Sequence, residues 1–223
     1  MSESLNEQFA ALHAERVRTM DPVKLQRNID QRAALVAAFD PDAVIKAGDR
    51  VEPFELLDVE GGTITLDALV ANGPAVLVFF RFAGCPACNL ALPYYQRTLW
   101  PTLAARGVRL VAISPQLPGP LRDIRQRHDL GFTVASDPGY ALGRRFGINF
   151  VPDAATLPEI VPGEPWLGEL TGTDSWELPQ PTVVVVDQDR TVRFVDVSPD
   201  WLVRTESQVI LEALGEVRLA AAA

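Results

Sequence analysis

The two cysteines of this 223-residue chain stand one helical turn apart, in Cys85-Pro86-Ala87-Cys88. A thiol is a weak nucleophile until it ionises. Unpaired backbone N–H groups and the positive end of a helix dipole stabilise the thiolate and bring its pKa from ~8.5 into a range of about 3.5–7.5. Proline at the first helical position loses no hydrogen bond, because the N–H there would have no partner in the helix. Pro86 therefore predicts a helix that opens at Cys85, with Cys88 on the same face and within reach of the Cys85 sulfur. Attack by Cys85 on a peroxide or a disulfide leaves an oxidised sulfur that Cys88 displaces as an intramolecular disulfide. The pair reads as nucleophile and resolving thiol of a two-electron cycle that needs no bound cofactor. Zinc needs about four ligands, and the other soft candidates, His13 and His128, fall on distant segments, so no metal is assigned. Inert, packed thiols would make the placement after a strand coincidental.

The elements that must hold this pair are legible around it. Ala75-Val76-Leu77-Val78-Phe79-Phe80 is a continuous apolar run, as a strand buried on both faces requires, and it leads through a short loop to Cys85. Residues 86–106 have helical period, 108–113 form a second buried strand and 118–128 a second helix. Phe132-Thr133-Val134 then suits a short strand, with a helix over 140–146. Strand alternating with helix implies parallel pairing through right-handed crossovers. Before this unit, Phe54-Glu55-Leu56-Leu57, the Gly61-Gly62 turn and Ile64 with Leu66 predict a hairpin. After it, 182–187 and 192–195 predict an antiparallel pair around Gln188-Asp189-Arg190, and 206–214 a last helix before an alanine tail. Residues 147–179, rich in proline and glycine, form a long excursion of the kind that is functional or disordered. Two amphipathic helices are expected between Ser4 and Phe39. One apolar face runs through Leu5, Phe9 and Leu12, the other through Leu25, Ile29, Ala33 and Val36, and each needs either the body of the domain or a second subunit as cover.

With 48% hydrophobic and 22% charged residues the chain has the composition of one generous globular domain. Its net charge of -9 repels phosphate backbones and anionic lipid, and its basic residues are scattered, so no nucleic-acid or membrane partner is expected. No apolar run approaches the ~18 residues of a membrane span. The charged first residues do not look like a secretory signal, and a cytoplasmic location is expected.

Several motifs resemble the peroxiredoxin-like branch of the alkyl hydroperoxide reductase and thiol-specific antioxidant family, within the thioredoxin superfamily. They are Gly48-Asp49-Arg50 with Pro53-Phe54, Phe80-Arg81 before Cys85-Pro86-Ala87-Cys88-Asn89-Leu90, Ala112-Ile113-Ser114-Pro115-Gln116, 174–179, Pro181-Thr182 and Val197-Ser198-Pro199-Asp200. The resemblance implies a three-layer α/β fold with a mixed central sheet, a nucleophilic first cysteine, and a cis-proline facing it, matched by Pro181. Such a bond would turn the backbone of Gln180 toward an incoming substrate. Where peroxiredoxins carry a proline and a threonine before the peroxide-reducing cysteine, this chain has Val78 and Phe82. Where thioredoxin-like reductases carry a buried carboxylate, it has Phe79.

On this reading residues 1–46 are a helical extension, 47–216 a thioredoxin-like domain with an insertion at about 147–179, and 217–223 a flexible tail. Arg81 either sets a guanidinium near the thiolate or pairs with a carboxylate at the sheet edge. Trp176 and Glu177 either supply a flat wall and a proton acceptor beside Pro181 or pin the long loop. The expected activity is reduction of a hydroperoxide or a disulfide, with a thioredoxin-like or low-molecular-weight thiol as electron donor and a homodimer as a candidate assembly. The competing reading is a thioredoxin fold recruited to non-redox binding or biosynthetic tailoring.

Overall fold

The structure is a computed structural model and describes residues 4–154, 157, 160 and 162–215. The alanine tail and part of the excursion lie outside them. In chain order the elements are α1 (Leu5–Thr19), α2 (Pro22–Ala38), β1 (Glu55–Asp58), β2 (Thr63–Thr65), α3 (Leu66–Val70), β3 (Ala75–Phe79), α4 (Pro86–Thr98), α5 (Trp100–Ala105), β4 (Arg109–Ser114), α6 (Pro118–Arg127) and β5 (Thr133–Ser136). A 3-10 turn (Pro138–Tyr140) leads to α7 (Ala141–Arg145). β6 (Asn149–Phe150), α8 (Leu167–Thr171), β7 (Leu178–Pro179), β8 (Thr182–Val186), β9 (Val192–Val197) and α9 (Ser207–Leu214) follow.

The main sheet runs β2-β1-β5-β4-β3-β8-β9. β3, β4 and β5 are parallel neighbours, while β8 lies antiparallel on the other side of β3 and β1 antiparallel to β5. This is the mixed sheet the sequence predicts, with β3 near its centre. Alternation explains the unbroken apolar run of β3: Val76 and Val78 join the core that holds α1, α4, α6 and α9, while Ala75, Leu77 and Phe79 join the one that holds α3 and α7.

One expectation needs correction, and two open ones gain detail. The helix predicted over 86–106 is two helices, because Pro101, lacking an N–H, sits in the first turn of a new helix that begins after Leu99. The excursion is not free of structure, since β6 and β7 pair antiparallel within it and α8 lies between them. Of the two covers open to the apolar stripe of α2, the domain body does not supply full burial: Ala33 and Val36 are exposed and none of the residues of α2 is fully buried, whereas α1 packs Leu5 and Phe9 into the domain core.

Glu206 fastens α1 to the domain. Its carboxylate accepts from the Leu5 and Asn6 backbone N–H groups at 3.0 and 2.9 Å, from Ser4 Oγ at 2.9 Å and from Tyr94 OH at 2.7 Å. Burial alone would raise its pKa, but these donors hold it below the usual carboxylate range. A carboxylate at the opening of α1 also meets the positive end of the helix dipole. One side chain thus ties the first helix to α4, which carries the cysteines.

Candidate active site

Cys85 occupies the N-cap of α4 in extended backbone conformation, with Pro86 at the first helical position. The loop before it is fixed from the end of β4. Gln116 Oε1 accepts the Ala83 N–H at 2.6 Å, and Ser114 Oγ donates to the Arg81 carbonyl at 3.2 Å. From the other side, Asn89 Nδ2 donates to the carbonyls of Ala83 and Cys85 at 2.7 and 2.9 Å, while its Oδ1 meets His128 Nε2 at 2.7 Å. His128 at the end of α6 thus buttresses the loop through Asn89.

Both thiols are free and buried; Cys85 is 1% exposed and Cys88 wholly covered. Their ionisation is pushed apart. The Cys88 thiol donates to the Cys85 sulfur, and the Arg81 and Arg204 guanidiniums and the Cys88 N–H add to this, so Cys85 lies well below the usual thiol range although burial opposes it. Cys88 lies well above that range, first because of burial and then because its proton is held against the Cys85 thiolate. Arg81 therefore takes the first of its two sequence-level options. It is 8% exposed, donates toward Cys85, and stacks over the rings of Phe82 and Trp201 at 5.6 and 4.9 Å.

Arg204 was not found in the sequence, where it lies in an unpatterned stretch between β9 and α9. In the fold it is 6% exposed, its backbone N–H and C=O pair with the Asn6 side chain, and its guanidinium lies 5.5 Å from the Phe9 ring centroid. The Val197-Ser198-Pro199-Asp200 motif was the signal that this neighbourhood mattered.

The remaining residues divide. Pro181 lines, with Cys88, Tyr95, Thr182 and Arg204, a cavity of about 10 Å³, room for one water at most. Its peptide bond is trans, which corrects the expected cis bond. The Gln180 backbone is not presented to a substrate: its N–H donates to the Ile148 carbonyl at 2.8 Å, and its carbonyl accepts from Thr182 Oγ1 at 2.9 Å. The β6–β7 pairing of the excursion thus occupies the strand edge that a cis bond was expected to offer. Trp176 and Glu177 pin the loop. Glu177 accepts from Arg144 Nε at 2.9 and 3.2 Å, from Arg144 Nη2 at 2.5 Å and from Asn149 Nδ2 at 2.8 Å, while Trp176 packs on Trp166 with ring centroids 5.0 Å apart. The charges that act on Cys85 most strongly are instead those of Arg81 and Arg204. Among the described residues no group of three or more His, Cys, Asp or Glu side chains is placed to hold a metal ion, and no helix is long and apolar enough to cross a membrane.

Comparison with known proteins agrees with the fold. The AhpC/TSA family model matches residues 47–195. Among solved structures, peroxidoxin BcpB from Mycobacterium tuberculosis is 25% identical, with a TM-score of 0.54 over 71% of this chain and 91% of that one. A peroxiredoxin-like protein from Aquifex aeolicus is 17% identical, with a TM-score of 0.56 over 76% and 86% of the two chains. A thiol peroxidase from Chromobacterium violaceum is 15% identical, with a TM-score of 0.57 over 78% and 88%. A sequence comparison with curated proteins found no match.

Proposed function

The chain belongs to the AhpC/TSA family and is a thiol-dependent oxidoreductase, and from that premise we propose that Cys85 reduces a small hydroperoxide and Cys88 resolves the product. The observation that carries this is the split between the two thiols: Cys85 favours its thiolate between Arg81 and Arg204, and Cys88 keeps its proton.

The Cys85 thiolate attacks the terminal oxygen of R–O–OH. The S–O bond forms, the O–O bond breaks, and the departing alkoxide takes a proton from water to leave as the alcohol. Arg81 stands where the negative charge leaves sulfur and appears on oxygen, which is where a fixed cation helps most. Oxidation removes the Cys85 charge. With it go the hydrogen bond and the repulsion that hold the Cys88 proton, while Arg204 and Arg81 continue to favour a Cys88 thiolate. Cys88 then attacks the Cys85 sulfur, the S–S bond forms, and hydroxide leaves with a proton as water. Two equivalents of an external thiol, from a thioredoxin-like protein or a small thiol, return the pair to the dithiol. A cytoplasmic setting would keep such donors reduced.

A peroxide suits this site better than a protein disulfide. The nucleophile is 1% exposed, and the Gln180 backbone groups that an extended substrate chain would need are already hydrogen-bonded. A peroxide needs a far smaller opening to reach this sulfur than a protein disulfide does.

The test is to mix reduced protein with one equivalent of hydroperoxide, quench by alkylation and weigh the intact chain. Loss of two hydrogens with both thiols blocked to alkylation, within seconds, is expected. Two fully alkylatable thiols after prolonged exposure would remove the peroxidase assignment.

A further inference from the structure

The helical pair α1–α2 carries two more arginines to the Cys85 side of the molecule. The guanidinium carbons of Arg16, Arg32 and Arg81 lie 5.5, 5.6 and 4.9 Å from the centroid of one buried indole ring, that of Trp201. Arg204 joins Arg81 in the field around Cys85. Among the described residues the one carboxylate in ion-pair contact with any of these four arginines is Asp200, whose oxygens both lie 3.3 Å from Arg32 Nη1. Arg81 Nε, Arg204 Nη2 and Arg32 Nε are buried without a hydrogen-bond partner. Arg16 is held below the usual guanidinium range chiefly by burial, with repulsion from Arg32 and Arg81 adding to it.

Gathering four cations around one carboxylate, Asp200, and one thiolate, Cys85, leaves positive charge uncompensated, which is unfavourable and, in a chain of net charge -9, out of keeping with the rest of the composition. A guanidinium fork matches a carboxylate with two parallel hydrogen bonds, and the Asp200 contact shows that a carboxylate already fits among these side chains. The indole face beside them offers an apolar wall.

We propose that the arginines around Trp201 bind an anionic group on the substrate, so that the bond attacked by Cys85 belongs to a carboxylate-bearing organic hydroperoxide. This substrate class rests on the peroxidase reading given above. Its product is the corresponding hydroxy acid, formed by the same transfer of the terminal oxygen to Cys85.

Two matched pairs of reagents test it. In stopped-flow oxidation, the para-carboxylate of cumene hydroperoxide should react faster than cumene hydroperoxide by about tenfold or more at low salt, with the advantage shrinking as salt is added. In alkylation, the ratio of iodoacetate to iodoacetamide rates at Cys85 should exceed the ratio for free cysteine. Both ratios should fall in the Arg16→Gln/Arg32→Gln double variant; the ratio is the readout, since the absolute rates also depend on the charge around Cys85. Ratios equal to those of free cysteine in both assays overturn the anion site while leaving the peroxidase reading intact. A preference for iodoacetate with no oxidation by either hydroperoxide sinks the peroxidase reading and the hydroperoxide substrate with it, and leaves an anion site serving another electrophile.

Discussion

Arginine is put to two uses on the two sides of this sheet. Beside β6 and α7, Arg144 meets Glu177 in a forked ion pair, and Asn149 completes the carboxylate's hydrogen bonds. Burial would raise the Glu177 pKa, but those partners keep it below the usual carboxylate range. Beside α4, Arg81 and Arg204 are more deeply buried and meet no such carboxylate among the described residues: Arg81 donates toward the Cys85 sulfur, while Arg204 donates to the Val203 carbonyl at 3.0 Å and adds its charge to the field around that sulfur. A charge whose partners are complete holds the chain together. A charge buried with bonding capacity to spare has stability to give to something that arrives or develops later, here the thiolate and the oxygen it displaces. The two clusters therefore separate a structural arginine from a chemical one on physical grounds.

The comparison can be broken most severely at the sulfur itself. Cys85→Ser should reduce hydroperoxide turnover to the uncatalysed background, measured by peroxide consumption with excess thiol reductant; retained turnover would place the chemistry elsewhere. Cys88→Ser should still consume one equivalent of peroxide and then stop, with a sulfenic acid at Cys85 that a trapping reagent captures and no intramolecular disulfide. Arg81→Met should move the pH of half-maximal Cys85 alkylation upward by about one unit, since an adjacent opposite charge lowers a pKa by that order. Arg81→Lys should restore part of the shift.

The structural cluster should behave differently. Glu177→Gln should leave the Cys85 alkylation profile where it is and lower Tm by no more than a few degrees, as expected of a pair whose arginine is largely exposed. Because the folded pKa of Glu177 is depressed, the pair's contribution exists above the unfolded carboxyl value of ~4.3 and fades as pH falls through the folded value. The Tm difference between wild type and variant should therefore close in acid. A shift in Cys85 reactivity of the size seen with Arg81→Met would erase the distinction between the two arginines.

The sequence carried the main features of the scaffold because they rest on local signals. The apolar run of β3 implied burial on both faces, Pro86 marked where α4 opens, and the spacing of Cys85 and Cys88 placed two sulfurs on one face. What it did not carry was assembled from afar. Arg204 is 119 positions beyond Cys85, and Arg16 arrives on a helix that Glu206 anchors from near the other end of the chain. Arg81 was visible, but whether it faced sulfur or carboxylate depended on which of those distant groups came near. The expectation at Pro181 failed for a related reason. The excursion supplied its own strand pairing, and the Gln180 N–H went to Ile148 instead of to a substrate.

The rate of Cys85 alkylation by iodoacetamide as a function of pH addresses the electrostatic claim without need of substrate, reductant or variant. Arg81, Arg204 and the Cys88 donors should give a rate that has already reached its plateau near neutral pH and declines only in acid. A rate that climbs through ~8.5 like that of an unperturbed thiol would mean that the surrounding charges do not prime this sulfur.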